Sequence, residues 1–266
     1  MKQRILTAAI ALPLLILLIA FAGPFVFCLF LTLVLLLGLL EFNRMGLATE
    51  HAYEQWFAAL AGAAVVPLLY FGQTALLVPL YAGSILILAL LFLFRLPIIS
   101  EVHHRLGWLC LGLIYLPLLF GHLALLRQLP DGREWIFLTL LVIMGCDTFA
   151  YFVGSRFGKH KLYPAVSPKK SIEGGIGGLV GSVLAVFIAN KTFLPQIGIV
   201  DGVLIGLLLG VAGQLGDLFE SLLKRACGVK DSGTMIPGHG GMLDRLDSLL
   251  FAFPVVYYLA SYGYGG

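Results

Sequence analysis

Three aspartates in the C-terminal half of the sequence have the residue type and the setting expected of metal-assisted chemistry. Asp217 lies at the end of one long apolar segment, and Asp244 and Asp247 open another. Charged side chains at membrane depth are costly and usually functional, and carboxylate oxygens are hard ligands that suit Mg²⁺. We expect Asp217 and Asp244 to bind Mg²⁺, with Asp247 as a lesser ligand. Whether a second cation binds is left open.

Helical spacing relates these aspartates to their polar neighbours. Gln214, Asp217, Ser221 and Lys224 recur three or four residues apart, so they share one helical face. A snorkelling lysine at an ordinary interfacial helix end would explain Lys224 but not the other polar residues. The remaining two aspartates are three residues apart, which predicts a shared helical face, although in a first turn they could simply interact with the helix dipole.

Two further segments carry polar chemistry. The glycine-rich link between Gly228 and Gly241 contains His239, and exposed amides in such turns form anion-binding nests. His239 is equally compatible with a structural turn residue and with a phosphate contact. The basic segment 154–173 places its paired lysines 169 and 170 between a predicted Ser-Pro turn and a helix start. Its lysines at 159 and 161 fit a polybasic patch on anionic lipid as well.

The composition indicates how these residues are held. Of 266 residues, 60% are hydrophobic and 12% are charged, against roughly 45–50% and about 25% in soluble domains. A membrane-spanning helix needs about 20 mostly apolar residues, and only helices or closed barrels satisfy the backbone in lipid. Nine segments meet this requirement: 5–22, 24–40, 55–72, 75–94, 106–126, 135–153, 174–190, 198–218 and 246–263.

The predicted fold class is therefore all-α, a polytopic integral membrane helical bundle of about nine transmembrane helices in a single membrane domain. Apolar spans fill 1–130, and 135–266 forms the catalytic part with loops 154–173 and 219–245. Placing the N-terminus in the cytoplasm leaves only Arg127, Arg133 and Lys191 outside, of 17 basic residues. Both loops then face the cytoplasm at the cell inner membrane. The net charge of +3 is too small to indicate nucleic acid.

Several features of the sequence have structural interpretations. Residues 1–22 imitate a signal peptide, but their apolar stretch is longer than usual, so we expect a retained span. The four cysteines form no CxxC pair, and neither a disulfide nor a zinc site is expected. The GxxxG spacings at 174/178, 177/181 and 206/210 predict close helix packing. A homodimer is compatible with the sequence, which leaves the oligomeric state open.

The charged segments together resemble the signature of the phosphatidate cytidylyltransferase family. The matching runs are Ser221-x-Leu223-Lys224-Arg225, Lys230-Asp231-x-Gly233 and Ile236-Pro237-x-His239-Gly240-Gly241-Met242-x-Asp244-Arg245-Leu246-Asp247. The first loop is similar at Asp147-Thr148-x-Ala150-Tyr151 and Ser167-Pro168-Lys169-Lys170, with Ser171 and Ile172 where the family commonly has Thr and Trp. The similarity begins at about Asp147, and the first five spans are similar only in being apolar.

The resemblance implies attack of a phosphatidate oxygen on the α-phosphorus of CTP, which gives CDP-diacylglycerol and diphosphate for phospholipid biosynthesis. It implies catalytic roles for Asp217, Asp244, Lys224 and Arg245. It implies CTP or phosphatidate binding by Ser167, Lys169, Lys170, Ser171, Glu173, Ser221, Arg225, Lys230, Asp231 and His239. Phosphate monoesters are mostly ionised near neutral pH, so no general base is expected.

Two other classes of protein fit the sequence less well, another membrane phosphotransferase and a transporter. Among the phosphotransferases, a CTP-using lipid kinase would release CDP rather than diphosphate, and a CDP-alcohol phosphotransferase would carry a DGxxAR core that this sequence lacks. A transporter would place its charges near the membrane midplane in broken helices. Here the charges cluster at segment ends, and no convincing internal repeat is present.

Overall fold

The protein is mostly helical, and its residues divide into two units. The computed structural model describes residues 2–47, 52–95, 99–236, 238 and 240–263, with side chains described from residue 9 onward. The N-terminal unit comprises residues 1–125 and 231–244, and the C-terminal unit comprises residues 126–230 and 245–266. The segment 231–244 therefore belongs to the unit formed by the first spans.

The N-terminal unit contains α1 (Lys2–Phe21), α2 (Pro24–Gly46), α3 (Ala52–Ala63), α4 (Val65–Tyr70), α5 (Leu77–Arg95) and α6 (Val102–Leu126). Pro24 is the first residue of α2, where its missing N–H costs nothing. The predicted span 55–72 is broken between α3 and α4 because Pro67 cannot donate a hydrogen bond to the carbonyl of Ala63. Trp108 stacks on Phe42 with ring centroids 4.5 Å apart and donates a hydrogen bond to its carbonyl oxygen.

The C-terminal unit contains α7 (Gly132–Phe157), β1 (Lys161–Tyr163), β2 (Ser167–Ser171), α8 (Ile172–Thr192), α9 (Ile199–Ala226) and α10 (Asp247–Gly263). The antiparallel β1–β2 hairpin was not predicted. The helices α7 and α9 run beyond the predicted spans. Both polar loops are therefore shorter than predicted, and Ser221, Lys224 and Arg225 lie on α9.

Glycines allow α7, α8 and α9 to approach one another closely. A methyl group at Gly181 would lie 2.7 Å from the carbonyl oxygen of Gly145, and one at Gly177 would lie 2.6 Å from Val153. On α9, a methyl group at Gly206 would lie 2.7 Å from the backbone of Val183. The prediction that these GxxxG spacings serve helix packing is confirmed.

We expect Gly181→Ala to destabilise the C-terminal unit, because its new methyl group would overlap the backbone of α7. Overpacking of this kind costs about 1–3 kcal/mol. The melting temperature of the detergent-solubilised protein should fall by several degrees. Gly83→Ala on α5 is the matched control, because a methyl group there meets nothing within 4 Å. Equal melting temperatures for the two variants would contradict the packing assignment.

The helices have the length and surface of membrane spans. Within the described residues, seven are long and apolar enough to cross a bilayer, α3 and α4 counting together. In addition, α10 has 17 residues. The part of α1 whose side chains are described, Ala9–Phe21, is a shorter apolar helix. Ile176, Val180, Leu184 and Ile188 form an exposed apolar stripe along α8. The predicted helical membrane protein is confirmed, and nine is an approximate count.

Candidate active site

The β1–β2 hairpin is fastened to the start of α8. Ser171 caps this helix by accepting a hydrogen bond from the amide of Gly174 at 3.1 Å. The Glu173 carboxylate accepts hydrogen bonds from the amides of Lys159 and His160, and it contacts the His160 ring at 2.7 Å. Ser171 and Glu173, both predicted to bind substrate, therefore also hold the hairpin in place.

The predicted turn at Ser167-Pro168 is wrong, because both residues lie within β2. The strand presents Lys169 exposed, while Lys170 is half-buried. Ser167 pairs with Tyr163 across the hairpin. An extended backbone at these positions sends neighbouring side chains to opposite faces, so the two lysines point in different directions.

Lys170 and Asp217 form the ion pair at the centre of the polar residues in the C-terminal unit. Lys170 Nζ lies 2.6 Å from Asp217 Oδ2, and each side chain is 28% exposed. Ser221, one turn further along α9, donates a hydrogen bond to Asp217 Oδ1 at 3.4 Å. The hairpin and α9 thus bring together residues that are 47 positions apart in sequence.

Two further carboxylates lie near this ion pair. Asp147 on α7 and Asp247 at the start of α10 both interact electrostatically with Asp217. The positively charged side chains of Lys170 and Arg245 also interact electrostatically with Asp147. Asp147 was not among the predicted site residues, although it is a carboxylate in an apolar helix, the signal that identified Asp217.

Lys224 is buried, which argues against the snorkelling interpretation. Its ammonium lies 3.1 Å from Glu220, one turn earlier on α9, and the two residues are 7% and 1% exposed. Glu220 was also missed by the sequence interpretation, despite its favourable spacing of four residues. A buried pair of this kind is costly to break, because removing one partner leaves the other charge uncompensated.

Two other polar residues of α9 make contacts within the C-terminal unit. Arg225 donates hydrogen bonds to the carbonyl oxygens of Val229 at 2.8 Å and Val166 at 3.4 Å, which connects the end of α9 to the hairpin. Gln214 donates a hydrogen bond to the carbonyl of Gly175 at 2.9 Å. Gln214 therefore stabilises the packing of α9 against α8.

Asp244 belongs to the N-terminal unit and is hydrogen-bonded to the backbone around it. Its Oδ2 accepts hydrogen bonds from the amides of Ser232 at 3.0 Å and Gly241 at 2.8 Å. Asp244 lies in a 3₁₀ turn, Leu243–Arg245, whereas Asp247 is the first residue of α10. The prediction that the two aspartates share a helical face is therefore wrong. A 3₁₀ turn has a different period from an α-helix.

Four predicted site residues remain to be located. Lys230, Asp231 and Arg245 are exposed. His239 lies outside the described residues.

The carboxylates near Lys170 provide the oxygen ligands that a magnesium ion prefers, although they do not form a complete set of protein ligands. No group of three or more His, Cys, Asp or Glu side chains is close enough to hold a metal ion among the residues that the structure describes. Magnesium usually takes only one or two protein carboxylates, with phosphate and water completing its shell. The half-buried Asp217, with Asp147 and Asp247 nearby, meets that smaller requirement.

Comparison with known proteins identifies the family. The model of the Cytidylyltransferase family matches residues 2–262. This chain belongs to that family. The family match includes the N-terminal spans, where the sequence motifs showed only apolar character.

Three relatives agree with this membership, two of them aligned over nearly their whole length. The phosphatidate cytidylyltransferase of Pseudomonas aeruginosa is 40% identical, and the alignment covers 96% of this chain and 95% of the relative. That of Staphylococcus haemolyticus is 36% identical, over 96% of this chain and 97% of the relative. That of Bacillus subtilis is 45% identical over 154 residues, 58% of this chain and 57% of the relative.

Proposed function

We propose that this protein is a phosphatidate cytidylyltransferase, which converts CTP and phosphatidate to CDP-diacylglycerol and diphosphate. The family match over residues 2–262 carries this conclusion, and relatives with that name align over almost their whole length. Helices that are long and apolar enough to span a bilayer support this proposal, because the substrate is a membrane lipid.

The reaction forms a bond between a phosphatidate oxygen and the α-phosphorus of CTP. The bond from that phosphorus to the bridging oxygen breaks, and diphosphate leaves. The attacking phosphate already carries roughly −1.5 to −2 charges near neutral pH, so no base has to remove a proton. The barrier to be lowered is the repulsion between two anionic phosphates, which positioning and positive charge overcome.

The chain's own charges supply that positioning. The side chain of Lys170 is half-buried, and its contact with Asp217 restrains it. It can therefore bind a phosphate with little further loss of side-chain freedom. We assign Lys169, Lys224, Arg225, Lys230 and Arg245 to phosphate binding as well. Lys224 would act from its buried pair with Glu220.

A magnesium ion is the cofactor that we propose for this site. When bound, it would neutralise negative charge on the CTP phosphates. Asp217 would hold it, and Asp147 and Asp247 supply further carboxylates in the same unit. Asp244 stays a ligand predicted from the sequence, and a second cation and a homodimeric state also stay predictions.

Diphosphate release from the purified protein tests the function. With CTP and Mg²⁺, release should depend on added phosphatidate, and CDP-diacylglycerol should appear in equal amount. Release of CDP in place of diphosphate would identify a lipid kinase instead. Release that is unchanged without phosphatidate would reject the proposed acceptor.

We propose further that the hairpin faces the cytoplasm at the cell inner membrane, as the distribution of basic residues predicts. Lys161 in β1 is exposed, and we expect a Lys161→Cys thiol to react with a membrane-impermeant reagent in inverted membrane vesicles but not in intact cells. Cys28 and Cys146 are buried, whereas Cys110 and Cys227 are half-buried, so the variant is made in a Cys110→Ser, Cys227→Ser background, and that background alone is the control. Labelling from the outside of intact cells would reverse the orientation.

A further inference from the structure

Glu41 is a buried carboxylate in a helix that is mostly apolar. It lies near the end of α2 and is 5% exposed, between the buried side chains of Leu40 and Phe42. A carboxylate in such surroundings is strongly unfavourable unless hydrogen bonds compensate its charge. Neither the sequence motifs nor the proposed reaction assigns it a role.

The partners of Glu41 belong to a segment about two hundred residues later in the chain. Glu41 Oε2 accepts hydrogen bonds from the amide of Leu243 at 2.9 Å and from the hydroxyl of Ser232 at 3.2 Å. The backbone of the same segment packs directly on the carboxylate. A methyl group at Gly233 would lie 2.8 Å from Oε1, and one at Gly241 would overlap Oε2.

Ser232 transmits this contact to Asp244. Because its hydroxyl has one proton, which it donates to Glu41, its lone pairs are left to accept. One of them accepts a hydrogen bond from the amide of Asp244 at 3.3 Å. The amides of Ser232 and Gly241 in turn donate to Asp244 Oδ2. Glu41 therefore fixes the hydroxyl around which the Asp244 backbone and carboxylate are arranged.

We propose that Glu41 is a positioning residue, which holds the segment 231–244 so that the Asp244 carboxylate keeps its orientation. An acceptor oxygen suits this task because two donors, one from Ser232 and one from Leu243, converge on it. The assignment rests on the proposed function, since it gives Asp244 its role as a predicted metal ligand.

Hydrogen exchange of the full-length protein, without metal or substrates, tests the structural part. Glu41→Ala removes the acceptor, and we expect exchange at the amides of residues 232, 241 and 243 to become at least about tenfold faster. Glu41→Gln keeps an acceptor oxygen and should restore most of the protection. Ser232→Ala removes the acceptor of the Asp244 amide, so it should speed exchange at residue 244 without altering α2, and it should add little to Glu41→Ala.

Glu54→Ala, which removes another buried carboxylate of the N-terminal unit, on α3, is the control. It should leave the exchange of the amides of residues 232, 241, 243 and 244 unchanged. The proposal is overturned if Glu41→Ala and Ser232→Ala both leave these amides protected, or if Glu54→Ala exposes them equally. Glu41→Gln as damaging as Glu41→Ala would also overturn positioning through hydrogen bonds.

Kinetics test the link to catalysis. The Mg²⁺ concentration for half-maximal turnover should rise at least severalfold in Glu41→Ala and return towards the parent value in Glu41→Gln. A merely structural loss would reduce the amount of active enzyme without moving this concentration, and that result would reject a positioning role. Failure of the proposed function would appear differently, as parent protein that releases no phosphatidate-dependent diphosphate, with the exchange results unaffected.

Discussion

Turnover of CTP and phosphatidate should fall by about 10²–10³ in Asp217→Asn, measured as diphosphate release at saturating Mg²⁺. The asparagine keeps the shape of the side chain but removes the charge that would hold the cation and that pairs with Lys170. The fold should survive, because ion pairs between partly exposed residues contribute little to stability. Near-normal turnover would remove Asp217 from the metal shell.

Asp131→Asn is the matched control for this variant. Asp131 lies before α7 and accepts a hydrogen bond from Gln196 at 3.1 Å, which an asparagine oxygen can also accept. Its backbone is left-handed, with φ of 52°, a conformation that asparagine tolerates. Turnover should stay at the parent level, and a comparable loss would show that the assay responds to any lost carboxylate in the C-terminal unit.

Lys170→Ala separates the two members of the ion pair. It leaves the Asp217 carboxylate in place and removes the cation, so the main expected effect is weaker use of CTP, seen as a higher KM for CTP. An unchanged dependence on CTP would return Lys170 to the interpretation as a lipid-surface residue.

Asp244→Asn should lower turnover about as strongly, roughly 10²–10³-fold, while the protein keeps its melting temperature. After rotation of its amide, the new oxygen can accept the hydrogen bonds that Ser232 and Gly241 donate to the aspartate. Asp244→Ala removes that acceptor and leaves two buried amides unsatisfied, at about 1–3 kcal/mol each. It should therefore lose both turnover and thermal stability.

The two Asp244 variants distinguish a ligand from a structural carboxylate. Turnover and melting temperature are measured on the same detergent preparations. Full turnover in Asp244→Asn would leave Asp244 a purely structural role. An equal loss of stability in both variants would contradict the hydrogen-bond account instead.

The clearest site candidates in the sequence were found where one residue type was rare in its surroundings. Asp217 was identified because carboxylates are costly in apolar helices. The same rule applied to Asp147, yet only the packing of α7 beside α9 revealed its interaction with Asp217. Glu220 was missed because its significance depends on burial together with Lys224, and burial is a property of the folded chain.

Local periodicity accounts for the errors as well as the successes. The apolar segments correctly predicted a helical membrane protein, because hydrophobic length is a local property that any bilayer requires. Hydropathy did not encode the continuation of α7 and α9 beyond those segments, although the helical spacing of Ser221 and Lys224 indicated it for α9. The strand at Ser167-Pro168 depended on pairing with β1. The 3₁₀ turn at Asp244 likewise depends on the backbone donors that surround its carboxylate.

The amino-acid sequence by itself determined the membrane setting, the helical class, the family resemblance and the aspartates and lysines to be tested. These follow from hydrophobicity, charge and short spacings, which are written in neighbouring residues. Only the tertiary structure decided that Lys170 pairs with Asp217 and that Glu41 meets Ser232 and Leu243. Such partners are far apart in the chain, and they come together only when buried charges must find donors and acceptors within a packed unit.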